Sequence, residues 1–172
     1  MMQTTPPVSG GSTGPELATT GVLAGSLLPE TRKILVVDDS QVILKVLSLK
    51  LKSAGYEVFT AADGSSAVSA ARQHKPDLII LDINFPPDVA HGGGVAWDAF
   101  VIMQWMRRIE GLSDIPVIII TSGDPEKYRA QSLAAGAIAF FPKPIDHNQL
   151  ITTIRDRIGG GSSNQPTVQA TM

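Results

Sequence analysis

With 172 residues the chain has room for one domain plus tails, and a 43% hydrophobic content is ordinary for a protein with a full core. It contains no cysteine, which removes disulfides, thiolate nucleophiles and thiolate metal sites together and fits a reducing compartment. The net charge of −2 gives no electrostatic footprint for nucleic acid, and no apolar run approaches the ~20 residues needed to cross a bilayer.

Residues 1 to 31 are rich in Thr, Ser, Gly and Pro and poor in large apolar side chains. Such a segment cannot bury enough surface to offset its ordering entropy, so it reads as a disordered leader, with Val22 to Leu28 the part that could touch the domain. No Lys or Arg precedes Arg32, which excludes a secretory signal. Gly10-Gly11-Ser12-Thr13-Gly14 spells a hydrolase nucleophile motif, but the strand before it and helix after it that the chemistry needs are missing.

Lys33 to Val37 is a continuous apolar strand ending in an acid pair, Asp38-Asp39. Ser40 to Ser53 has helical spacing, with Val42, Val46 and Leu49 on one stripe and Ile43, Leu47 and Leu51 beside it. Gly55 closes that helix. A short strand over Tyr56 to Ala61 leads to Asp63, a cap for a helix reaching His74, with Ala67, Val68 and Ala71 on its narrow apolar face. Leu78-Ile79-Ile80-Leu81 is a strand buried on both faces, and it ends on Asp82. A glycine-rich stretch follows, then a helix over Trp97 to Glu110, with Phe100, Met103 and Met106 or Ile102, Trp105 and Ile109 inward and Arg107 and Arg108 as a solvated basic end. Val117 to Ile120 is a third buried strand, running into Thr121-Ser122. Asp124-Pro125-Glu126 starts a helix that stops at Gly136. The last strand, Ala137 to Phe141, runs into Pro142-Lys143-Pro144. Asp146 and Gln149 resemble a capping box for a final helix ending near Ile158, and residues 159 to 172 form a polar tail expected to be disordered.

Five β–α units of this kind argue a parallel sheet with helices on both faces and every strand's carboxyl end on one edge. Asp38, Asp39, Asp82, Thr121 and Lys143 would converge there. An uncompensated carboxylate is costly in a core, and three close ones repel, so something positive must hold them. All-oxygen ligation, with His74, His91 and His147 scattered, favours a hard cation such as Mg²⁺, or Mn²⁺ in its place, over zinc. A carboxylate nucleophile can hold an acyl phosphate, with the cation and Lys143 neutralising the transferring oxygens and Thr121 hydrogen-bonding one of them.

From Arg32 to Ile158 the chain resembles the receiver domain of two-component response regulators. Ile34-Leu35-Val36-Val37-Asp38-Asp39, Leu81-Asp82, Ile120-Thr121-Ser122, Gly136-Ala137 and Phe141-Pro142-Lys143-Pro144 carry the resemblance, in order and with receiver-like spacing. It implies a flavodoxin-like sheet of order 2-1-3-4-5. It also implies phosphorylation of Asp82 by a sensor histidine kinase or a histidine phosphotransfer protein. Asp39, Asp82 and the backbone carbonyl of Asn84 would bind Mg²⁺, with Asp38 assisting through water. Thr121 and Phe140 would form a switch pair, Thr121 moving toward the phosphoryl group as Phe140 rotates inward. The Lys143-Pro144 bond is often cis in that family.

Two stretches depart from the pattern. Phe85-Pro86 replaces Met-Pro, and Trp97-Asp98-Ala99 stands where Met-Asp-Gly belongs, an insertion of about nine residues around Pro87 to Val95. The expectation is that His91-Gly92-Gly93-Gly94 covers the site and slows hydrolysis. Gly136-Ala137-Ile138-Ala139-Phe140 lacks the acids of the family's Gly-Ala-Asp-Asp-Tyr, which weakens the case for a salt-bridged dimer on that face. No effector domain is expected after Ile158. The chain therefore reads as a stand-alone cytoplasmic phosphoacceptor that assists its own phosphorylation and dephosphorylation without being an enzyme, with a protein target and neither nucleic acid nor membrane as partner. One alternative is a receiver fold kept as a phosphorylation-independent interaction module. Another, a carboxylate-nucleophile phosphatase, would need an acid where Asn84 stands.

Overall fold

The computed structural model describes residues 31–84 and 98–160. Five strands, β1 (Lys33–Val37), β2 (Glu57–Ala61), β3 (Leu78–Asp82), β4 (Val117–Thr121) and β5 (Ala139–Pro142), alternate with α1 (Gln41–Ser53), α2 (Gly64–His74), α3 (Ala99–Met106), α4 (Pro125–Ala134) and α5 (His147–Ile158). The strands are parallel, in the order β2-β1-β3-β4-β5 expected from the resemblance.

Continuous apolar runs form the middle of the sheet because both of its faces are covered. Alternate residues of one strand enter different cores. Leu35, Val37, Ile79, Leu81 and Ile119 pack with α2 and α3 on one face. Ile34, Val36, Ile80, Ile118 and Ile120 pack with α1 and α5 on the other. Short polar side chains start each helix by accepting the first free N–H groups. Ser40 caps α1, Asp63 caps α2 in a reciprocal box with Ser66, Asp98 caps α3, Asp124 caps α4 ahead of Pro125, and Asp146 accepts from Asn148 and Gln149.

The structure shortens one expected helix and settles two points that residue spacing left open. On α1 the stripe Val42, Val46 and Leu49 faces solvent, Val42 being 70% exposed, while Leu44, Leu47 and Leu51 are buried. Helical spacing identifies neighbouring stripes, but only contact with the sheet decides which is inside. The third helix is shorter than its pattern. It begins at Ala99 after the Asp98 cap and ends at Met106, with Trp105 43% exposed and Ile102, Met103 and Met106 buried. Arg107 and Arg108 are exposed, as read, and the Arg107 guanidinium also donates to the Ala135 carbonyl beside Gly136. Gly136 has φ +91°, a left-handed backbone that glycine adopts without strain; a Cβ there would also push the Arg107 guanidinium aside. The expected cover at His91 to Gly94 and Trp97 lie outside the described residues.

The orientation of α1 has a direct check. Leu47→Ala should lower unfolding free energy by about 2–4 kcal/mol, whereas Val42→Ala should stay within about 0.5 kcal/mol, both read from denaturant midpoints. Equal effects would mean that α1 is rotated from the position described.

Candidate functional site

Strand register assembles the site. Val37 pairs with Leu81, Asp82 with Ile120, and Thr121 with Pro142, so the residues at or just past these positions share one level at the carboxyl edge. Backbone bonds fix that level: Asp38 N–H donates to the Ala61 carbonyl at 3.1 Å, Ile83 N–H to Ile120 at 3.1 Å and Lys143 N–H to Thr121 at 2.8 Å. The Lys143-Pro144 peptide is cis.

Asp38, Asp39 and Asp82 each place a carboxylate oxygen within 4.8 Å of the others. Asp38 is fully buried, and Asp82 is 4% exposed. Asp39 is exposed and opens the cluster to solvent. Lys143 bridges the two buried acids, with Nζ 2.6 Å from Asp38 Oδ2 and 3.3 Å from Asp82 Oδ2. The remaining oxygens are held by the backbone. Ser40 N–H donates to Asp38 Oδ1 at 2.9 Å, and Ile83 N–H donates to Asp82 Oδ1 at 2.9 Å.

One ammonium against three carboxylates leaves a strong local excess of negative charge, and the titration of the buried groups reflects it. Burial pushes the Asp82 carboxyl from the ordinary 3.8 up to about 6; the Asp38 charge adds to the rise, and Lys143 and the Ile83 N–H offset it only in part. For Lys143 burial works against the ammonium, but the hydrogen bond to Asp38 and the charges of Asp82 and Asp38 outweigh it, so its pKa is raised. Three carboxylates around one space, unsatisfied in charge and lacking soft ligands, suit a hard divalent cation.

The other expected site residues are placed as follows. Thr121 is fully buried, and its hydroxyl accepts from Gly123 N–H at 3.0 Å. Phe140 is also buried, in the core that contains Ile119, with the Arg129 guanidinium 5.2 Å from its ring centroid. Asn84 is exposed and forms an antiparallel bridge with Asp98, so the two ends of the segment between them are held together at the edge of the site. Spacing gave no sign of the roles of Gly123 and Arg129, which lie on a turn and a helix where contacts depend on tertiary packing. Tyr128 packs so closely on Gly123 that a Cβ there would overlap its ring, and this contact shapes the turn around Thr121.

A doubly wound parallel sheet of order 2-1-3-4-5, with an acid cluster and a lysine over its strand ends, defines a flavodoxin-like protein of the CheY-like class. A family model for the response regulator receiver domain matches residues 34–155, and the chain belongs to that family. It is 31% identical over 133 residues to the polar-differentiation response regulator DivK of Brucella ovis, covering 75% of this chain and 98% of that protein. It is 36% identical over 123 residues to the response regulator PleD of Caulobacter vibrioides, covering 72% of this chain and 25% of PleD, so it spans about a quarter of that relative's length. Among solved structures, the chemotaxis response regulator CheY4 of Vibrio cholerae aligns with a TM-score of 0.62 and 32% identity, over 73% of this chain and 98% of that one. A response regulator from Chloroflexus aurantiacus aligns with a TM-score of 0.66 and 25% identity, over 76% and 100%.

Proposed function

We propose that this receiver domain takes a phosphoryl group from a phosphohistidine onto Asp82 and uses it to change a partner-binding face. The supporting observation is the position of Asp82: a nearly buried carboxylate at a strand end, 3.3 Å from Lys143 and within 4.8 Å of two further acids. A carboxylate with a pKa near 6 is mainly ionised at neutral pH and can attack phosphorus. The new bond joins an Asp82 oxygen to phosphorus, the P–N bond to the donor imidazole breaks, and that imidazole leaves with the electron pair. Asp38, Asp39, Asp82 and the Asn84 carbonyl would hold Mg²⁺, which supplies charge neutralisation on the transferring oxygens. Lys143, 2.6 Å from Asp38 and 3.3 Å from Asp82, would turn from these carboxylates to pair with a phosphoryl oxygen. The Thr121 hydroxyl would leave Gly123 N–H to donate to another, and buried Phe140 would fill the space released.

The donor would be a histidine kinase or a histidine phosphotransfer protein. The exposed row Val42, Val46 and Leu49 suits its docking, because α1 starts directly after Asp38-Asp39. No helix among the described residues is long and apolar enough to cross a membrane, and a cytoplasmic location fits the proposed donors. Incubation with acetyl phosphate and Mg²⁺ should add one phosphoryl mass to Asp82, and chelator or Asp82→Asn should abolish it. Val46→Asp should leave this small-donor reaction unchanged and slow transfer from a phosphohistidine protein. An absent adduct under all conditions would favour the rival reading, a docking surface independent of phosphate.

A further inference from the structure

At the strand-end site the Thr121 hydroxyl is engaged by its own turn, accepting from Gly123 N–H at 3.0 Å. That turn is also held from outside. Gly123 stands just before the Asp124 cap of α4, and Tyr128 lies near the start of that helix, where side chains lean back toward the N-terminus. A Cβ on Gly123 would lie 2.6 Å from Tyr128 Cε2 and 2.9 Å from Cδ2, so the ring fills the space that a side chain would need. The same Cβ would be 3.3 Å from Thr121 Oγ1. Ring and hydroxyl therefore flank one side of a single glycine. Its φ lies outside the left-handed region, so room and not backbone freedom calls for glycine here.

We infer, on the reading of Asp82 as a phosphoacceptor, that Tyr128 is a positioning residue for Thr121: seated on Gly123, its ring holds the turn in the form that keeps the Thr121 hydroxyl on Gly123 N–H and away from a phosphoryl oxygen. When the hydroxyl leaves, the part-buried Gly123 N–H loses its acceptor, and the turn has to shift to find it another. A shift of that turn displaces a ring already at contact distance. Close packing makes such a contact either made or broken, with little between. Phosphoryl binding and release of the ring are then linked, each favouring the other.

Few other contacts fix the start of α4. Of its ten residues only Ser132 is buried, one turn beyond Tyr128. Tyr128 itself is partly buried against the core that holds Ile119 and Phe140, and the Lys127 ammonium stands 5.0 Å from its ring centroid. A segment with so little burial opens at low cost, so one ring contact carries a large share of what holds it. Phe140, the aromatic expected to switch, is already buried, with the Arg129 guanidinium 5.2 Å from its ring centroid. Tyr128 is the ring seated on the turn itself.

The test compares the full chain with Tyr128→Ala, Tyr128→Phe, Gly123→Ala and Leu133→Ala, the last at a half-exposed position near the far end of α4. Without metal or phosphoryl donor, hydrogen-exchange protection of the residue-123 amide should fall about tenfold in Tyr128→Ala, because loss of the ring frees the turn. With Mg²⁺ present, calorimetric titration with beryllofluoride, a tetrahedral phosphoryl mimic, should give about tenfold tighter binding in the same variant, since more of the protein is then competent to bind. Gly123→Ala unseats the ring from the other side and should produce both shifts, with no further gain when the two changes are combined. Tyr128→Phe keeps the ring and should match the parent. Leu133→Ala should match it too, which separates this contact from a general loosening of α4. Unchanged protection in Tyr128→Ala would overturn the inference, and so would lost protection with unchanged beryllofluoride affinity. A parent protein that binds no beryllofluoride would instead sink the reading of Asp82, and the exchange rates would still decide whether Tyr128 holds the turn.

Discussion

Lys143→Met is expected to lower unfolding free energy by about 3–5 kcal/mol in the presence of chelator, because it strands a buried charge. Asp38 is fully buried, and its Oδ2 has Lys143 Nζ at 2.6 Å. Methionine preserves much of the side-chain volume, so the loss would be electrostatic more than one of packing. Divalent cation should restore part of the stability, since a cation held by the acids compensates the same charge. A double-mutant cycle with Asp38→Asn should show strong coupling, the pair losing less than the sum of its single changes. Should Lys143→Met unfold within about 1 kcal/mol of the parent in chelator, the buried ion pair cannot be what holds this edge together.

Asp82→Asn should do the opposite, stabilising the metal-free protein by up to about 3 kcal/mol at pH 7.5. The folded-state pKa of Asp82, about 6, lies above the ordinary 3.8. Between those values the native protein binds the proton more tightly than the unfolded chain does. Its contribution to stability is therefore complete below about pH 3.8 and is lost as pH rises through about 6. The gap between the two proteins should open across that window and be widest at neutral pH. Saturating Mg²⁺ should then close it from the other side, because cation bound at a hundred times its dissociation constant adds ~2.7 kcal/mol to a native state that retains all three acids. Denaturant melts at pH 4.5 and 7.5, with chelator and with Mg²⁺, give the four numbers required; a gap constant with pH would falsify the raised pKa. On the proposed function the site trades stability for chemistry, since the charge that costs folding energy is the one that would attack phosphorus.

The acid cluster could be read in the sequence for a physical reason. A run such as Leu78 to Leu81 has to be a strand covered on both faces, and the first charge after such a run has to emerge at its end. Applied to Asp38, Asp82, Thr121 and Lys143, that argument brings to one edge the residues that the strand register also places there. The inward face of α1 was not legible. Val42, Val46 and Leu49 keep the same helical spacing as buried leucines, and hydrophobicity alone does not say which arc meets the sheet. Arg107 is exposed as its place at a helix end suggests, but its partner, the Ala135 carbonyl, is 28 residues away in the chain and could not be read from it.

By itself the sequence determined the alternation of strands and helices, the edge on which the polar residues gather, and the caps Asp63, Asp124 and Asp146, because these follow from local patterns of burial, turn chemistry and free N–H groups. Tertiary structure decided how that edge is wired. Lys143 lies closer to Asp38 than to Asp82, Thr121 is held by Gly123, and Phe140 is covered by Arg129. Those choices are set by distances of a few tenths of an ångström between segments far apart in the chain, and strand register fixes such distances where residue spacing cannot.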